Sequence, residues 1–123
     1  MKTIVMIPTM TNADGKPWMI IEGERPEPRK APLSEFIRAF VYGIPMQALT
    51  MEDAHHGRRV IEAVHKSEGK NPIELEDADY SWLVAQVEEH AARVFGINAA
   101  ILREALGPTE TRQARRAAGR KAH

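Results

Sequence analysis

The chain has 123 residues, 43% hydrophobic and 28% charged, with 17 basic against 17 acidic residues and no cysteine. That length suits one domain around a modest single core, and that composition excludes a disordered chain. Disulfides and thiolate metal ligands are excluded outright, and the apolar runs are too short to span a membrane. The N-terminal stretch MKTIVMIPTMTNADG has too short an apolar run for a secretory signal, so a cytoplasmic setting is expected.

The neutral total conceals an asymmetry. Residues 109–123 hold Arg112, Arg115, Arg116, Arg120 and Lys121 against Glu110, a net of +4. Residues 1–108 therefore carry 12 basic and 16 acidic residues, a net of −4. An acidic body with a basic tail is an arrangement suited to charged partners, although such a tail can also serve solubility alone.

In chain order, Lys2–Ile7 is rich in β-branched residues and reads as a strand, as does Trp18–Glu22. Asn12-Ala13-Asp14-Gly15 between them supplies turn chemistry, so residues 2–22 are expected to form a β-hairpin. Residues 23–32 (GERPEPRKAP) read as an extended, proline-rich connector. Ser34 is the expected N-cap of a helix through Tyr42 that buries Phe36, Ile37, Phe40 and Val41, with Gly43 as its cap. Thr50 and Asp53 form a capping box for a second helix to about Ser67, with Met51, Ala54, Ile61 and Val64 expected to face inward. Ile73–Leu75 is a short extended piece, and Asp77 or Asp79 is expected to cap the next helix.

That next helix begins the most regular stretch of the chain. Tyr80, Leu83, Val84, Val87, Ala91 and Val94 recur at three- and four-residue spacing, Phe95-Gly96-Ile97-Asn98 breaks the period, and Ala100, Ile101, Ala105 and Leu106 resume it. The expected fold is thus α+β and mostly α. A hairpin (2–22) and connector (23–32) pack on a four-helix core (33–107) within one domain, 1–108, followed by a basic arm, 109–123.

Assembled chemistry is harder to find. His55 and His56 are adjacent, so they point about 100° apart on a helix, and His65 is ten residues from His55. These spacings, with His90, suit surface or interface histidines better than a metal site. The paired carboxylates (Glu52-Asp53, Glu76-Asp77, Glu88-Glu89) fall at helix starts or on polar faces, and no phosphate loop or nucleophile motif is present. Neither enzyme activity nor a metal or cofactor is expected.

Ala92, Gly96, Ile97, Leu102 and Leu106, within ARVFGINAAILREAL, resemble the helix-turn-helix of bacterial and phage repressors. That resemblance implies base contacts from Asn98 and Arg103, with phosphate contacts from the tail. The second helix offers few donors beside Glu104, and two core helices joined by a tight turn give the same pattern.

A second resemblance is one of layout. The order of a hairpin, PLSEFIRAFVYG, TMEDAHHGRRVIEAV and an I-E-L-x-D segment before a long helix is similar to small accessory proteins of tailed bacteriophages. It carries no site residues across. It implies a non-enzymatic virion structural or assembly protein, in host cytoplasm or virion, that contacts its own copies or other virion proteins. The tail would then reach a neighbouring subunit, with Glu74, Glu76, Asp77 and Asp79 as a landing site. A helix-turn-helix regulator and a small inhibitor of a host enzyme are the alternatives.

Overall fold

The computed structural model describes residues 1–22 and 25–107. The architecture is α+β and mostly helical. In chain order, β1 (Lys2–Ile4), β2 (Met19–Glu22) and β3 (Arg25–Lys30) precede α1 (Leu33–Gly43) and α2 (Met51–Ser67). β4 (Ile73–Leu75), the nineteen-residue α3 (Asp77–Phe95) and the seven-residue α4 (Ala99–Ala105) follow. The expected basic arm lies outside the described residues.

The N-terminal hairpin does not form as the sequence suggests. β1 pairs antiparallel with β4, in the register Lys2↔Leu75, Thr3↔Glu74 and Ile4↔Ile73. Burial explains the choice: Ile4, Ile73 and Leu75 are each at most 2% exposed, so this pairing inserts three apolar side chains into one core. β2 pairs instead with β3, part of the segment read as a connector. Prolines are tolerated in β3 because a two-stranded sheet leaves every strand an outer edge that needs no N–H. The Asn12–Gly15 turn does close, but on a bridge between Thr11 and Pro17. Gly15 adopts φ +80°, and Asn12 N–H donates to Lys16 O at 2.8 Å.

The helices follow the apolar periodicity with local differences. Pro32 rather than Ser34 precedes α1, and Ser34 is buried in its first turn. α2 has its capping box: Asp53 N–H donates to Thr50 Oγ1 and Thr50 N–H donates to Asp53 Oδ2. Its inward face, however, is Gly57, Val60, Val64 and Ser67, while Met51 is 74% exposed and Ala54 is exposed. In α3, Tyr80, Leu83, Val84, Val87 and Ala91 are buried as expected, whereas Val94 is 38% exposed.

Glu76, without a side-chain cap bond, precedes α3, so neither Asp77 nor Asp79 caps it. α3 ends at Gly96, with φ +61° and ψ −138°. An aromatic cluster joins the elements. Trp18 lies 4.1 Å from Phe36 and 5.0 Å edge-on from Phe95 between ring centroids, linking the start of β2 to α1 and to the end of α3.

Candidate functional site

α2 and α3 meet at a mid-helix glycine. A Cβ at Gly57 would lie 3.4 Å from Trp82 Cη2 and 3.5 Å from Val41 Cγ1, so the indole packs against bare backbone. Glycine in a helix interior costs about 1 kcal/mol relative to alanine, and a Cβ here would meet both neighbours at ordinary contact distance, so the HHGRR glycine at position 57 marks the contact face without being required by it.

Around that contact a polar network ties the two helices together. Trp82 Nε1–H donates to Asp53 Oδ1 at 2.9 Å, and the indole stacks on the His56 imidazole with a 15° interplanar angle. His56 Nδ1 lies 2.7 Å from Asp79 Oδ1, and Arg59 Nε–H reaches both Asp79 oxygens at 2.9 and 3.0 Å. Arg59 Nη2 stands 3.1 Å from the same imidazole nitrogen. The Asp79 carboxylate can only accept and the Arg59 guanidinium can only donate, so His56 Nδ1 can satisfy one of the two at a time. Asp79 is 3% exposed and holds the centre of the network.

The Thr50 backbone N–H, then the Trp82 indole N–H, hold the Asp53 carboxyl below the usual carboxylate range, against a smaller opposing effect of burial. In the first turn of α3, burial pushes the Tyr80 phenol up, with Arg103 opposing. Tyr80 O–H donates to Leu106 O at 2.7 Å and so docks the end of α4.

An imidazole oriented by a carboxylate through Nδ1 leaves Nε2 outward, the orientation a general base requires. Here Nε2 faces Glu52 Oε1 at 3.9 Å. The clefts on either side are walled by Arg59 and Asp79, and by Asp53 and Trp82, rather than by His56 itself. The arrangement is suited to fixing α2 against α3.

What α2 presents outward is different in character. A cleft of about 420 Å³ opens between α1 and α2, walled chiefly by Val41, Ile44, Leu49, Ile61 and Trp82. A second, of about 640 Å³, shares Tyr42, Ile61 and Glu62 with it and continues toward Gly69. Gly69 packs near Pro32 and Ser34 while Gly57 packs near Val41, so α1 and α2 run antiparallel and the two clefts form one groove. At its edge Tyr42 is 68% exposed, and Met46 and Met51, which flank the lining residue Leu49 in sequence, are 85% and 74% exposed.

The residues expected to act from sequence are distributed otherwise. Arg112, Arg115, Arg116, Arg120 and Lys121 lie outside the described residues. Glu74, Glu76 and Asp77 are exposed around β4 and the start of α3. Asp79 is withdrawn from that acidic group, because its carboxylate is committed to Arg59 and His56. Asn98 Oδ1 accepts from Ala13 N–H at 3.0 Å, tying the 12–15 turn to the start of α4. Arg103 donates to Glu88 at 3.2 Å and to the Gly107 carbonyl at 2.9 Å.

His55 and His65 are exposed as expected, but His56 and His90 differ from expectation. His90 is only 6% exposed and its Nδ1 is buried without a hydrogen-bond partner, and His56 is built into the network. Among the described residues no group of His, Asp and Glu is arranged to hold a metal ion, and no helix is long and apolar enough to cross a membrane.

The groove departs from the sequence expectation that Met51 and Ile61 face inward: Ile61 lines it, and Met51 is exposed. The glycine in HHGRR is the signal that could have turned α2 the right way: it marks the face in closest contact. Comparison with known proteins yields no matching family model, curated protein or solved structure.

Proposed function

We propose that the chain is a non-enzymatic structural or assembly protein that acts through protein–protein contacts, with the α1–α2 groove as its contact face. The exposed apolar side chains carry this reading: Tyr42, at the edge of a groove that is apolar from Val41 to Trp82 and charged toward Gly69, is 68% exposed, and Met46 and Met51 are 85% and 74% exposed. Tyrosine and methionine are enriched at protein interfaces, and unbranched methionine adapts to an irregular partner surface. The network beneath supports the same reading, because a preorganised face loses less conformational entropy when it binds.

Assembly of a virion is the setting suggested by the layout resemblance. In that setting the tail, Arg112 to Lys121, would reach a neighbouring subunit, with the exposed Glu74, Glu76 and Asp77, the last ion-paired to the Met1 ammonium, as its landing site. A helix-turn-helix regulator draws less support, since Asn98 and Arg103 are both engaged within the fold.

The test compares the native chain with a Tyr42→Glu/Met46→Glu variant by gel filtration of lysates from cells that produce it. The native chain is expected in a nuclease-resistant species larger than one chain, and the variant, with an unchanged circular-dichroism melt, as the free chain. Identical elution of both, or loss of the larger species on nuclease treatment, would overturn the reading.

A further inference from the structure

We propose that the groove binds a second copy of this chain, α2 against α2, across a two-fold axis at the level of residue 60; this rests on the protein-contact reading above. Three observations on α2 carry the proposal. The first is charge order. Arg58 and Glu62 lie one turn apart on the stripe that walls the groove, with side chains 79% and 56% exposed and 3.3 Å from one another. Their midpoint is residue 60. An antiparallel two-fold there sets Arg58 of each copy opposite Glu62 of the other, whereas a parallel arrangement sets Arg58 against Arg58. An isologous interface requires this kind of self-complementarity, in which i meets j and j meets i.

The second observation is shape. The same axis carries position 51 of one copy to the level of position 69 of the other. Met51 is 74% exposed at one end of α2. At the other end the 640 Å³ cleft opens beside His65, Glu68 and Gly69. A flexible thioether side chain thus meets an open cleft at both ends of the two-fold. The face runs the length of seventeen-residue α2, about 25 Å at 1.5 Å per residue.

The third is net charge. The whole chain carries equal numbers of basic and acidic residues, so two copies approach without long-range repulsion.

Sedimentation equilibrium on the purified full chain tests the arrangement. The native protein is expected at twice the chain mass. Arg58→Glu is expected to weaken association at least about tenfold, since it sets glutamate against glutamate twice. Arg58→Glu/Glu62→Arg restores the pairing with reversed polarity and is expected to recover the dimer. Met51→Glu, which alters an exposed residue, is expected to give the single-chain mass with an unchanged melt.

A native chain of single mass overturns the two-fold, and so does a dimer indifferent to Arg58→Glu. A single-mass chain that still forms the nuclease-resistant species in lysate assigns the groove to a different protein. That outcome overturns the second copy and leaves the assembly reading standing.

Discussion

Trp82 lies nearly parallel to His56, ring centroids 5.8 Å apart, while its indole N–H reaches Asp53 on the preceding turn of α2. One side chain of α3 thereby touches two polar residues of α2, and its ring packs on Gly57 next to His56. The consequence is a fixed α2, which holds the outer groove in one shape.

Asp79 is the centre of that lock. Removing one partner of a fully buried pair costs about 3–5 kcal/mol, but Arg59 is 49% exposed and water compensates part of its loss. Asp79→Ala is therefore expected to destabilise by about 2–3 kcal/mol. Urea unfolding measures it; a change under about 0.5 kcal/mol would show that the network contributes no more than an ordinary surface substitution.

Two glycines make opposite predictions for one substitution. At Gly57 a Cβ meets Trp82 and Val41 at ordinary contact distance, so Gly57→Ala is expected to stabilise by up to about 1 kcal/mol through helix propensity. At Gly96 a Cβ meets nothing within 4 Å, but φ +61° with ψ −138° disfavours any side chain. Gly96→Ala is expected to destabilise by about 1–3 kcal/mol. Thermal melts of the two variants should move in opposite directions, and shifts of the same sign would contradict the geometry at one of the sites.

The acid limb of stability should report Asp53. Its folded pKa lies below the ordinary carboxylate value of 3.8, so its contribution is present above that value. The contribution is lost as pH falls through the lower folded value. Asp53→Asn should flatten that part of the stability profile, and an unchanged acid limb would assign the loss to other carboxylates.

At the alkaline end the sign is reversed. The Tyr80 phenol has its folded pKa above 10.0, so its contribution is present below 10.0 and lost as pH rises through the higher folded value. With only two tyrosines in the chain, Tyr42→Phe leaves Tyr80 as the sole phenol. Its absorbance titration should then fall above 10.0; a midpoint at or below that value would contradict its burial against Leu106.

The helices were legible because their signals are local. The Thr50–Asp53 box, the three- and four-residue spacing from Tyr80 to Ala91, and Gly96 each act within one or two turns of chain. The strands β1, β2 and β4 were legible as extended segments, but their pairing was not, because β1 pairs with a segment some seventy residues away and no local pattern encodes that partner. Asp79 was misread for a related reason. At a helix start an aspartate suggests a cap, and only the packing of α2 brings Arg59 and His56 to it. The groove was missed because Met51 and Ile61 are apolar, and hydrophobicity alone does not say whether a side chain faces the core or a partner.

The most direct test of the contact face is a photo-cross-linking residue at Met46, with the same residue at Ile97, 81% exposed beyond α3, as the comparison. Irradiation of cells producing each protein should give discrete protein adducts from position 46 and none from position 97. Equal adducts at both positions, or none from position 46, would contradict the assignment of the α1–α2 groove as the surface through which this protein acts.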